Sequence, residues 1–255
     1  MPRPARSTSM WPRSASLAAY LLIVAYFVLA RSRHGSEAVE TLSDQEREWR
    51  KRDLDRLFFF SDGVYAIALT LLSIELVERF VTTSESTLAG NPSRLGEALA
   101  PWGTMDGAYV SFLYGFAVVA LFWTAHHRLF RHIDAAGRIS VDLIVANFLL
   151  LFFVVLIPFT TFVWGLYPEY SPAISWYAAN LFLCTAAQFL VYTQCKRYYA
   201  GRSPTEDYGK KLVRPAIAFL VAFILSFLPY TIFASALLFL TWAFSLAQLL
   251  WRTRR

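Results

Sequence analysis

The residues able to do chemistry in this chain are few, and most gather on one stretch. Arg56 opens RLFFFSDGVYAIALTLLSIEL, a membrane-length apolar run that carries Ser61, Asp62 and Gly63 near its start and Thr70 in its middle. An ionised carboxylate is expensive in hydrocarbon, so a segment that tolerates Asp62 turns it toward protein or water. A polar cluster at that depth marks either an ion pathway or a structural node. Arg56 lies six residues before Asp62, and the spacing suggests a buried Arg56 to Asp62 network. The competing reading makes Ser61-Asp62 a helix N-cap. The charged segment before it contains no breaker and runs straight into Phe58-Phe59-Phe60, which disfavours a fresh helix start.

The remaining polar candidates point away from catalysis. His126 and His127 suggest a proton relay or a metal pair, but adjacent residues on a helix point about 100° apart. Interfacial hydrogen bonding suits them better. Cys184 and Cys195 lie eleven apart, about 16 Å along a helix, too far to bridge each other. Asn180, Gln188 and Gln194 on the same run suit interhelical hydrogen bonds. No H-E-x-x-H, P-loop or Ser/His/Asp arrangement is present, so the chain does not read as an enzyme. No metal-ligand spacing or cofactor motif is present either.

Composition sets the solvent. The chain is 56% hydrophobic and only 16% charged, with 22 Phe, 13 Tyr and 8 Trp, which implies an all-α polytopic membrane protein. A net charge of +6 would suit nucleic acid, but the basic residues sit in short segments between apolar runs, as membrane topology requires. No nucleic-acid partner is expected.

In chain order, residues 1–38 form a leader whose status stays open between two readings. Its apolar part, about fifteen residues from Ser16 to Ala30, is short for a span and is followed by a basic segment, so it neither spans nor is cut. Otherwise translation begins downstream, for instance at a codon read as Val39. Residues 39–56 read as a cytoplasmic amphipathic lead-in helix with Ser43 and Glu46 as a capping box. Residues 57–252 then hold six spans: Leu57 to Val77, Gly107 to Ala125, Leu143 to Leu166 with a kink at Pro158, Pro172 to Cys195, and two within Pro215 to Trp251. As one helix that last run would measure roughly 55 Å, against about 30 Å of hydrocarbon, so a break at Pro229 and Tyr230 is expected. With six spans, nineteen Lys and Arg from position 31 onward fall on one side and only Arg79 and Arg94 on the other. That asymmetry places both termini in the cytoplasm, in a plasma membrane. Glu75, Glu78, Glu85, Glu97, Asp106 and Glu169 lie on or near the outer side, where they would concentrate cations. Trp102, Trp164, Tyr167 and Trp251 fall at span ends as interface anchors.

On a helix, Leu71 and Ile74 share a face with Ile67, Gly63 lies a turn below, and Thr70 sits beside them. Taken alone, such a stripe is lipid-facing or core packing. Arg56 with Phe60-Ser61-Asp62 and the continuation GVYAIALTLL, however, resembles the R-x-x-x-F-S-D signature of the transmembrane protein 175 potassium channels. Trp123-x-x-His126-His127, Asn147 and Pro158 agree with that resemblance; Tyr65 departs from the Phe or Leu often found there.

The resemblance implies a homotetramer in which four copies of the first span line a central pore permeable to potassium, without a cofactor. Ile67 becomes the hydrophobic constriction, Leu71 and Ile74 form further narrow rings, and Thr70 adds a ring of hydroxyls. Arg56, Phe60, Ser61 and Asp62 become structural, held through Trp123, His127 and Asn147. A T-V-G-Y-G carbonyl filter is absent from the sequence. A branched aliphatic ring closes a pore by dewetting and favours ions that dehydrate cheaply, so a modest preference for potassium over sodium follows. The alternative is a secondary transporter or a proton-leak pathway. A transporter would show internal repeats with broken helices in matching positions, and Pro158 and Pro229 do not correspond.

Overall fold

The computed structural model describes residues 43–88, 106–130, 141–198, 206–227, 236–238 and 240–241, all within the unit Leu42–Arg255. The leader 1–38 and the expected break at Pro229 and Tyr230 lie outside the described residues. Among the described residues every regular element is helical: α1 (Asp44–Leu88), α2 (Asp106–Phe130), α3 (Val141–Leu166), α4 (Ser171–Tyr198) and α5 (Glu206–Leu225).

Four of these carry segments long and apolar enough to cross a membrane: Asp44–Glu78, Tyr109–Phe130, Val141–Leu166 and Ser171–Lys196. A shorter apolar stretch, Leu212–Leu225, closes α5. The helix stops there, with Ser226 and Phe227 in a turn, and helical residues are found again at 236–238. The apolar run that starts at Pro215 is therefore not helical at Ser226 and Phe227. Pro158 lies inside α3, which carries on to Leu166.

α1 begins where the sequence signals it. The Ser43 backbone amide donates to Glu46 Oε2 at 3.1 Å and the Glu46 amide donates to Ser43 Oγ at 3.3 Å, a reciprocal capping box. From there α1 runs 45 residues, about 67 Å, with no break between the charged lead-in and the span. Ser61 does not start a new helix, because its hydroxyl donates back to the Leu57 carbonyl one turn earlier at 2.8 Å.

α3 is the hub. It packs against α1, α2 and α4, whereas α5 rests on α4. The short connection from Leu166 to Ser171 makes α3 and α4 antiparallel neighbours, and Tyr170 N donates to the Tyr167 carbonyl at 3.0 Å to close the turn. Lipid tails are as apolar as Leu, so these contacts gain from close packing more than from water exclusion. Close packing shows most clearly at Gly115 on α2. A Cβ there would sit 2.8 Å from Thr161 Cγ2 of α3 and 3.0 Å from Leu72 Cδ2 of α1. Three helices meet where one side chain is missing. Gly115→Val is expected to cost about 1–3 kcal/mol through overpacking. The check is the thermal midpoint of the detergent-purified protein; an unchanged midpoint would contradict the three-helix contact.

The candidate pore helix and its anchoring network

α1 shows two faces. Ser61, Tyr65, Ala68 and Leu72, spaced at one helical stripe, are buried against α2 and α3. On the opposite side Ile67 is 55% exposed and Ile74 60% exposed, with Gly63 and Thr70 also open and Leu71 half-buried at the edge. Among the described residues of one chain nothing covers the stripe that holds Ile67 and Ile74. The Thr70 hydroxyl donates to the Ile67 carbonyl at 2.8 Å and the Ser73 hydroxyl to the Thr70 carbonyl at 2.7 Å. Their donors are thus used locally, and the oxygen lone pairs stay available on the open side.

The buried stripe is pinned by hydrogen bonds at its N-terminal end. Asn147 of α3 donates through Nδ2 to Ser61 Oγ at 2.9 Å and pairs through Oδ1 with His126 Nε2 at 2.8 Å. Ser61, Asn147 and His126 are all fully buried. Next to them Trp123 Nε1 donates to Asp62 Oδ1 at 2.8 Å. Three helices are joined by four polar side chains and an indole. The His126 imidazole also packs on Phe130, with centroids 4.4 Å apart, and on Tyr65 at 5.5 Å. Phe60 lies half-exposed with its ring 5.3 Å from Phe148 of α3.

Two expectations need correction. His126, not His127, makes the interhelical hydrogen bond: one residue turns the side chain about 100°, which leaves His127 in tilted ring contact with Trp123 and Phe58, both at 5.4 Å. The sequence carries two adjacent imidazoles and no signal to choose between them. The buried Arg56 to Asp62 network is not formed either. Arg56 is exposed, and on one continuous helix six residues leave the two side chains about 120° apart. Arg56 instead shares the open face with Phe60, Gly63 and Ile67. Tyr65, the departure from the expected pattern, is buried against α2 with its ring beside His126. Among the described residues no group of three or more metal-ligating side chains occurs.

Residues 56–158 match the family model described as endosomal/lysosomal potassium channel TMEM175. Over those residues the chain is similar to a TMEM175-family domain. The match starts at Arg56 and ends at Pro158, so it takes in the pinned end of α1, all of α2 and most of α3. A potassium channel of Chamaesiphon minutus is 32% identical over 137 residues, 52% of this chain and 61% of that one. A potassium channel of Streptomyces collinus is 31% identical over 106 residues, 42% of this chain and 45% of that one. The human endosomal/lysosomal proton channel TMEM175 is 39% identical over 84 residues, 33% of this chain and 16% of that one. The aligned part of the chain thus spans less than two thirds of each of these relatives. In fold, the crystal structure of a lysosomal potassium-selective channel TMEM175 homolog from Chamaesiphon minutus superposes with a TM-score of 0.62 at 24% identity, covering 77% of this chain and 98% of that one.

This geometry separates the two histidines. Removing Asn147 or His126 strands a buried polar partner, at a cost of about 1–3 kcal/mol, whereas His127 gives up ring contacts alone. Asn147→Leu and His126→Phe are therefore expected to lower the thermal midpoint in detergent by more than His127→Phe does. Equal losses at the two histidines would overturn the assignment.

Proposed function

We propose that this chain is a subunit of a potassium-permeable cation channel, a homotetramer in which four copies of α1 surround a central pore. The observation that carries this reading is the open stripe of α1. The helix that begins the family match is packed on one side by α2 and α3 and left uncovered along Gly63, Ile67 and Ile74. Facing that stripe toward a symmetry axis covers it with three further copies. Ile67 then forms the narrowest ring, Leu71 and Ile74 the next, and Thr70 presents oxygen lone pairs between them. The potassium channels among the relatives support the choice of ion.

The selectivity mechanism follows from the residue types. An ion crossing a ring of isoleucines sheds water without receiving charged ligands, and potassium sheds it more cheaply than sodium. The preference is graded, set by dehydration cost rather than by a carbonyl cage. The Asp62 carboxylate lies on the protein side, held by Trp123, and acts on the pore by keeping α1 in register. We place the protein in the plasma membrane with both termini cytoplasmic, as the basic segments require, with residues 39–56 as its lead-in helix and 57–252 as the channel unit. No bound cofactor is needed; the permeant ion is the only small partner besides lipid.

A second reading, proton leak, is favoured by the human relative's description as a proton channel. Flux from potassium-loaded liposomes separates the two. Wild-type protein is expected to release potassium faster than sodium, and Ile67→Asn to raise sodium flux several-fold and bring the ratio toward one while the tetramer persists. Asp62→Ala is expected to weaken the tetramer as well as the flux. Potassium flux that is absent, or indifferent to Ile67, would refute the constriction. Pyranine-reported acidification without potassium flux would favour the proton reading.

A further inference from the structure

We propose that the pore helices continue below the membrane as a parallel bundle, in which Trp49, Asp53 and Arg56 of each copy face the same residues of the other copies of this chain. The proposal rests on the reading of α1 as the central pore helix. It concerns residues 44–56, which α1 adds ahead of the span as about 20 Å of unbroken helix.

The first argument is register. Stepping back by sevens from Ile74 and Ile67 reaches Phe60 and Asp53, and the companion series runs from Thr70 through Gly63 and Arg56 to Trp49. The two series alternate at spacings of three and four, which is the seam of a left-handed coiled coil. All eight positions are exposed in the single chain. A straight helix drifts about 20° per heptad from such a seam, and supercoiling absorbs the drift. The seam that would line the pore therefore passes through Trp49 without a change of register.

The second argument is chemical. Between Asp44 and Arg56 the lead-in helix is charged nearly throughout, yet it carries Trp49, 61% exposed, with the Arg52 guanidinium 6.0 Å from the ring centroid. Arg52 is itself held by Glu48 at 2.8 Å, one turn away. Lipid is not the natural cover for this indole. The far side of α1 is packed by α2 and α3 higher up, so a stripe continuous with Ile67 points at the axis and away from the bilayer. A second copy is the occupant that geometry allows. Asp53 and Arg56, one turn apart on the seam, then form adjacent rings of opposite charge, so each guanidinium finds a neighbour's carboxylate. A buried or semi-buried charge on a seam is tolerated when paired in this way. In the single chain Arg56 has no such pairing with Asp62, which leaves it available.

The test uses the full chain purified as an oligomer in detergent. Cys184 and Cys195 are buried and serve as a silent background. Single cysteines are placed on the seam (Trp49→Cys, Asp53→Cys), off it (Lys51→Cys) and at pore level (Ile74→Cys), and a short bis-maleimide is added. Neighbours held side by side react at high effective concentration, so the two seam variants are expected to form covalent dimers at least about tenfold faster than Lys51→Cys. Asp53→Cys retains the indole, so loss of Trp49 cannot by itself explain a negative result. If Ile74→Cys cross-links while positions 49 and 53 react no faster than 51, the bundle is wrong and the central pore helix stands. If Ile74→Cys also fails, the central placement of α1 falls and the bundle with it.

Discussion

Ser61 sits between one carbonyl acceptor and one amide donor, with no water to fall back on. Its hydroxyl gives its proton to Leu57 O and takes one from Asn147 Nδ2, while the other end of that amide engages His126. In hydrocarbon, an unpaired polar group at this depth has no solvent to satisfy it, so each member holds the others in place. The rotation of α1 follows from that constraint. With Ser61 turned inward, Tyr65, Ala68 and Leu72 must follow it, and Ile67 and Ile74 must face outward. Asp62, one step round the helix, meets Trp123 at the boundary of the buried face and fixes the same rotation a second time.

A helix rotated by a polar clamp at one end can keep its opposite face free of strong bonds. Thr70 and Ser73 close their donors on their own backbone, and Gly63, Ile67 and Ile74 on the open stripe are aliphatic or small. Such a face suits a pore that excludes water when narrow, because nothing on it holds water tightly. The polar clamp and the aliphatic stripe are thereby separated along one segment: the clamp is at Ser61 and Asp62, and Ile67 and Ile74 lie about one and a half to three and a half turns further on.

Away from α1 the molecule uses a second set of buried polar and aromatic contacts. Trp164 and Tyr177 stack nearly parallel with centroids 5.2 Å apart, and Tyr114 meets both edge-on before donating its hydroxyl to the Leu238 carbonyl at 2.8 Å. Ser175 and Ser226 pair across α4 and the end of α5 at 2.7 Å, and the Ser171 hydroxyl donates to the Ser226 carbonyl. These ties join the later helices to the α1–α2–α3 unit.

The sequence by itself determined the class of molecule. Run lengths, the placement of Lys and Arg, and the apolar stripe depend on local composition and helical period, which are written directly in residue order. Ser43 and Glu46 announced the start of α1, and the polar cluster at Ser61 and Asp62 announced a node. What the node contacts was decided only in three dimensions. Asn147 is 86 residues from Ser61, and Trp123 is 61 from Asp62. The choice of His126 over His127 is a difference of about 100° in rotation, invisible until α2 is set against α3. Arg56 looked like a partner for Asp62 because six residues are close in sequence; on one unbroken helix the same six residues set them on different faces. Residue order states which groups must be satisfied in the membrane, and only the packing of helices states by whom, because those partners are brought together by chain folding and not by spacing.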